Sequence, residues 1–389
     1  MTPYADFTYF GLMLYPVLPT LLLGLSGWRT RYWSLSMTGL ALLLIYRDVA
    51  AVLPYLAIRE IWLVIGYGVF QWLLTQVFLR LRQRSKSRWL FAGVLALGVA
   101  PLVISKFSPL FAPKALLGFL GISYITFRSL DVIFGIQDGL LKTLATAPYL
   151  TYLFFFPTLS AGPVDRYRRF LQDWQHTRTR TEFLLDLDGA VDRVFTGFLY
   201  KFILAALIKQ YWLDPTSSRT GWLALVSYMY AYSFYLFFDF AGYSAFAIGF
   251  SYLFGIHTPE NFQRPFLARD IKEFWNRWHI SLSTWFRDHV YMRFLIAASK
   301  GRWFKEKYTS SYIGAFLLFG LMGLWHGPTL HYLLYGLYHA IWFVSHDWFS
   351  RWNKQTKLWG DSWAWQVASV LVTFHLVCFG FLIFSGRIL

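Results

Sequence analysis

A histidine beside a helix break, inside an apolar run, is the residue of this chain best suited to chemistry. His326 lies in "GLWHGP". Fifteen residues from Ser311, at 1.5 Å each, place it roughly 22 Å along a helix. A full crossing of the hydrocarbon core takes about 30 Å, so His326 is expected within the membrane, in its far part. An ionisable side chain at that depth is costly and by default marks a site. Gly327 and Pro328 stop the helix and would open its end toward a cavity. Neutral imidazole is the natural general base near pH 7, and the competing reading is a histidine hydrogen-bonded in helix packing.

A second histidine, His279, lies in "FWNRWHISLSTWFRDHVYMRF" (Phe274 to Phe294). On sequence alone it reads first as an interfacial residue. Trp275, Trp278, Trp285, Tyr291 and Trp303 around it are rings that settle at a membrane boundary with one end wet. His289 follows ten residues later, about 280° round a helix, so the two share no face. There is no HExxH, and the single cysteine, Cys378, excludes a cysteine-based zinc site. No metal is expected. His257, His331, His339, His346 and His375 read as packing or interfacial residues. Asp239 reads as an intramembrane hydrogen-bond anchor. Arg128 and Asp131, three apart, are helix neighbours expected to pair. Arg166 would either hold an anionic group or mark the cytoplasmic interface. "VYMRFLIAASKGRW" (Val290 to Trp303) mixes apolar and basic residues. Its Val290, Met292, Leu295 and Ile296, with Arg287 just before, make a candidate docking surface for an acidic partner; the alternative is an ordinary interfacial helix.

The elements that must position these groups are membrane helices. Of 389 residues, 57% are hydrophobic and 14% charged, against about 25% charged in soluble domains. Apolar runs recur along the whole chain, and roughly eleven reach the length of a span. The net charge of +16 does not point to nucleic acid, because the basic residues sit mainly in loops between apolar runs, as the positive-inside rule requires. The loop Arg80 to Arg88 carries five basic residues and no acid and is placed in the cytoplasm. The Arg29/Arg31 loop, two spans earlier, falls on the same side, and so does Arg351 to Lys357. The N-terminus is then outside, and the first apolar run is not a signal peptide. "DRYRRFLQDWQHTRTR" (Asp165 to Arg180) would fall on the wrong side unless the Pro157, Gly162 and Pro163 stretch before it re-enters the membrane. The simplest organisation is a single integral membrane domain, 1–389: all-α, polytopic, with re-entrant and interfacial helices.

Four motifs in order, "FFPTLSAGPVDRYRRF", "YLFFDFAGYSAFAIGF", "FWNRWHISLSTWFRDHVYMRF" and "GLWHG", resemble those of the membrane-bound O-acyltransferases, over about 121–339. "FRDHVYMRF" and "FGFLIFSG" are most similar to the members that transfer D-alanine. The resemblance implies a ring of tilted helices around a central funnel, with His279 and His326 as active-site residues. It implies a donor thioester on phosphopantetheine, supplied by a small acidic D-alanyl carrier protein and not bound by the chain itself. The acceptor side leads to lipoteichoic acid outside the cytoplasmic membrane of a Gram-positive bacterium. Two rivals stand beside this expectation: a polysaccharide O-acetyltransferase using the same histidines, and a transporter without turnover.

Overall fold

The computed structural model describes residues 3–27, 31–52, 54–111, 117–160, 162–306, 308–360 and 362–388, with backbone alone at 31, 46–52 and 54–60. Arg29, which helps orient the first loop, lies outside them. The chain is helical from end to end. Among the described residues the sole extended pairing is a single antiparallel bridge between Phe262 and Trp278. Five helices meet the length and apolarity of a membrane span: Phe7–Leu25, Ile61–Arg84, Arg88–Leu110, Trp222–Leu253 and Trp363–Phe384. This is a multi-pass membrane protein. Other apolar runs are divided by wide or tight turns, such as the π-helices Phe198–Ala205 and Lys209–Leu213.

The residues fall into two compact units. The first comprises Met1–Phe198 with Gly242–Pro259. Its helices are joined by buried side-chain hydrogen bonds, which are worth having where no water competes. Gln71 donates to Tyr67 Oη (2.7 Å) and to the Gly98 carbonyl (2.9 Å), and accepts from Ser129 Oγ (2.7 Å). The stretch before Asp165 is a half-helix. Thr146–Phe154 has nine residues, about 14 Å, and ends in a tight turn at Phe156–Thr158.

Arg128 holds that end, and here the expected pairing fails. Arg128 is fully buried. Its guanidinium donates to the carbonyls of Tyr152 (2.9 Å), Leu153 (3.0 Å) and Thr158 (2.7 Å). Asp131 instead pairs with Arg166 (2.9 Å) and accepts from the Tyr167 amide (2.9 Å). The freed carbonyls of a helix C-terminus carry partial negative charge and need donors. A cation threaded among them satisfies both requirements, and Arg166 is used up by Asp131.

The second unit comprises Leu199–Ala241 with Glu260–Leu389. Asp239 is an anchor, as expected, and its partner is Lys201. Two helices meet at bare backbone. A Cβ on Gly323 would lie 2.3 Å from the Tyr332 carbonyl oxygen, and one on Gly336 would lie 2.2 Å from that of Phe319. Helix Thr309–His326 therefore packs against Leu330–Thr356 as closely as backbone allows. The polar insertion folds as short pieces, Ile271–Arg277, Ile280–Phe286, the π-helix Arg287–Tyr291, and Met292–Gly301.

Candidate active site

His279 owes its position to the bridge at Phe262. The Ile280 amide donates to the Asn261 carbonyl (3.0 Å) and the Gln263 amide to that of Arg277 (3.0 Å). Ser281 Oγ donates to Asn261 Oδ1 (2.6 Å). This clamp breaks the helix after Arg277 and holds His279 in left-handed backbone, φ 44° and ψ 50°. That conformation costs a non-glycine residue about 1–2 kcal/mol. The ring is 5% exposed, edge-on to Phe240 at 4.7 Å between centroids, and its Nε2 has no hydrogen-bond partner among the described residues.

The interfacial reading of this stretch is thereby corrected. His279, Trp275, Trp278 and Trp285 are all less than a tenth exposed, and Trp303 alone of the four tryptophans stands out, at 56%. The rings are drawn inward by one another. Trp278 packs on Phe274, Phe262 and Phe381 at 5.7, 5.0 and 4.7 Å, and aromatic pairs gain more from such contact than from a half-wet boundary.

His326 is the last residue of its helix, and Gly327 continues in extended backbone, φ 170°. The imidazole is half-buried among Phe384 (4.9 Å), Tyr332 (5.7 Å) and Tyr335 (6.5 Å). The fold brings the two histidines together across forty-seven positions. Both rings face the indole of Trp325, at 6.3 Å from His279 and 4.6 Å from His326. They lie within electrostatic reach of one another.

A cavity of about 320 Å³ is lined by residues close in the chain to both histidines, though by neither histidine itself. Its apolar wall includes Leu318, Phe319, Met322 and Phe343, and its polar groups are Lys272, Asn276, Ser283, Thr284, Arg287 and Tyr291. Trp275 lines it too, with an indole N–H that has no partner among the described residues. Asn276 and Ser283 flank His279 in the chain. Met322 lies one helical turn, about 6 Å, before His326. The cavity thus combines an apolar slot with amide and hydroxyl partners and two cations.

Of the proposed docking residues, Arg287 lines this cavity. Met292 (42%) and Ile296 (49%), one turn apart, face outward beyond it, and Val290 and Leu295 are half-buried. Sequence reasoning missed Asn276, Ser283 and Thr284. One signal was present: Ser283, Arg287 and Tyr291 recur every fourth residue, which is one helix face.

The remaining histidines divide. His339 is packing, fully buried between Trp275 (5.1 Å) and Tyr335 (4.6 Å). His257, in the first unit, is not. Its backbone N–H donates to Asp173 (2.7 Å), and its Nε2 lies 2.7 Å from Asp186. Hydrogen bonding to Asp173, then to Asp186, raises its pKa to about 9. A second cavity, about 180 Å³, adjoins this cluster. No residue proposed for catalysis or docking lines it. Its charged groups satisfy each other, Arg178 with Asp186 and Asp173 with Arg169.

Comparison with known proteins fits this geometry. The family model for the membrane-bound O-acyltransferase family matches residues 134–385. The chain is 44% identical to a teichoic acid D-alanyltransferase of Bacillus subtilis, over all of this chain and 98% of that protein. It is 39% identical to one of Lacticaseibacillus rhamnosus, over 99% of this chain and 97% of the relative. It is 40% identical to one of Streptococcus thermophilus, over 84% and 83%. A family match over well over half the chain, with relatives this similar along its whole length, identifies it: the chain belongs to the membrane-bound O-acyltransferase family.

Proposed function

We propose that this acyltransferase moves D-alanine from the phosphopantetheine thioester of a small acidic carrier protein toward lipoteichoic acid at the cytoplasmic membrane. His326 is the base. The observation that carries the reading is the convergence of His326 and His279 on the Trp325 indole, with a 320 Å³ cavity lined by chain neighbours of both. The names of the full-length relatives support the substrate. A phosphopantetheine arm has a phosphate at one end, two amides along it and a thioester at its tip. Arg287 and Lys272 suit the phosphate, which would compete with their present partners Asp288 (3.0 Å) and Asp347 (2.8 Å); Asn276, Ser283, Thr284 and the Trp275 N–H suit the amides. Met292 and Ile296, next to Arg287, meet the carrier, whose acidity the basic chain attracts.

The chemistry needs little more than positioning, because a thioester is already activated. An acceptor hydroxyl is held against neutral His326. As its oxygen bonds to the D-alanyl carbonyl carbon, His326 takes the proton. The C–S bond breaks, and the departing thiolate receives that proton from the imidazolium. His279 has a buried, unpartnered Nε2 and orients the thioester or shares the proton. A hydroxyl on a partner protein could accept D-alanine first by the same step.

The test is turnover by purified protein with D-alanyl carrier as donor. His326→Ala is expected to lower transfer about 10²–10⁴-fold while the protein still inserts and binds carrier. Retained transfer would refute the base assignment. An acetyl donor used in preference to D-alanyl carrier would favour a polysaccharide O-acetyltransferase. Binding without any consumption of thioester would leave the transporter.

A further inference from the structure

We propose that Arg387, with Tyr228 and Tyr232, forms the acceptor side of the site and holds a phosphodiester of the teichoic acid while a neighbouring hydroxyl reaches His326. The proposal rests on the D-alanyl transfer reading above and assigns groups that reading does not use.

The argument starts from one helix face. Tyr228, Tyr232, Tyr235 and Asp239 fall at intervals of four, three and four on helix Trp222–Leu253, the repeat of a single stripe. Tyr228 and Tyr232 are stacked, 5.8 Å between centroids, and both are half-buried. Tyr232 lies within electrostatic reach of Tyr332 and Tyr335, the two phenols that flank His326. Two groups of phenols result, Tyr332 and Tyr335 beside His326 and the stacked pair Tyr228 and Tyr232, with no ring contact joining the groups among the described residues.

The Tyr228 and Tyr232 pair carries a cation. The guanidinium of Arg387 lies over the Tyr228 ring at 5.4 Å and donates one hydrogen bond to the Arg219 carbonyl (3.0 Å). It pairs with no carboxylate among the described residues. The chain reaches this point directly from the active site. Phe384 touches His326, and three residues later, at most about 10 Å of chain, stands Arg387. Gly386 makes the turn in left-handed backbone, φ +71°, with the His331 ring beside it. Asp239, the acid of the stripe, is neutralised by Lys201 and does not repel an anion. One guanidinium, four unused N–H donors and a row of phenols suit a phosphate oxygen flanked by polyol hydroxyls.

The experiment compares two soluble acceptors with D-alanyl carrier as donor: neutral glycerol, and the anionic phosphodiester glycerophosphoglycerol. The wild-type protein is expected to show the lower KM for the phosphodiester. Arg387→Gln is expected to raise that KM about 10-fold or more, the loss of a charge-assisted contact, toward the glycerol value. Its carrier affinity should not change. Arg387→Lys should restore part of the preference and Tyr232→Phe should lose part of it. Equal KM values for the two acceptors in the wild type, or a preference untouched by Arg387→Gln, would overturn the proposal alone. Failure of the wild type to transfer D-alanine to any hydroxyl would overturn the functional reading, and this proposal with it.

Discussion

Alanine at position 323 should disable the enzyme without unfolding it, and the size of the effect follows from one distance. A Cβ on Gly323 would sit 2.3 Å from the Tyr332 carbonyl oxygen and 3.1 Å from its carbonyl carbon. Carbon atoms pack without strain from about 3.5 Å, so the two helices must separate by roughly 1 Å. Backbone cannot swing aside as a flexible side chain would. Gly323 lies three residues before His326, and Tyr332 itself touches the His326 ring. The displacement is delivered to His326, the proposed base. Misplacement by about 1 Å costs on the order of 10²-fold in rate, or about 2.7 kcal/mol in the transition state. Overpacking adds about 1–3 kcal/mol of instability, so the rate must be referred to folded protein, counted by size-exclusion chromatography. Gly320, one turn earlier, has nothing within 4 Å of its would-be Cβ. Gly320→Ala is the control: it should keep full activity and gain about 0.5–1 kcal/mol of helix stability. The assay is D-alanyl transfer from carrier, per folded molecule, for both variants. Activity of Gly323→Ala within about threefold of wild type would refute the claim that this contact positions His326.

Arg128→Met should leave the carbonyls of Tyr152, Leu153 and Thr158 without their donor, at about 1 kcal/mol or more each; a detergent melting temperature within about 1 °C of wild type would contradict that. Ile296→Asp adds a negative charge to the outward face beside Arg287 and should weaken acidic-carrier binding about 10-fold, measurable by titration. Unchanged affinity would remove this face from the docking surface. His257 has its pKa raised from 6.5 to about 9, so its charged form stabilises the fold fully below pH 6.5. That contribution is lost as pH rises through about 9, so thermal stability should fall between those values. The fall should vanish in His257→Gln, and an equal fall in that variant would assign it to another group.

Features that a one-dimensional pattern can carry are legible in the amino-acid sequence. The glycine and proline after His326 end its helix at that residue, and Pro157 ends the half-helix before Asp165. What such a pattern lacks is partners distant in the chain. Arg128 and Asp131 are correct neighbours by helix spacing, yet each finds something better: the open end of a helix for one, Arg166 and the Tyr167 amide for the other. The tryptophans of the His279 motif look alike whether they bind a membrane boundary or one another, since both environments reward a large amphipathic ring. The placement of His279 depends on pairing a single bridged residue, Phe262, and its two neighbours with the link between two helices. So short a pairing has no periodicity to reveal it.

The π-helix Arg287–Tyr291 carries one further consequence. Its bonds skip one more residue than those of an α-helix, so the turn holds a supernumerary residue. Deleting that residue would restore ordinary α-helix and rotate the helix that continues from it, Met292–Gly301, by about 100°. Arg287 would stay at the cavity mouth, while Met292 and Ile296 would swing to another bearing. The widened turn thus acts as a phase setting between the cavity and the outward face. In relatives that receive their acyl group from a different donor, a length change at this turn would re-aim the face while leaving His279, which precedes it, where it is.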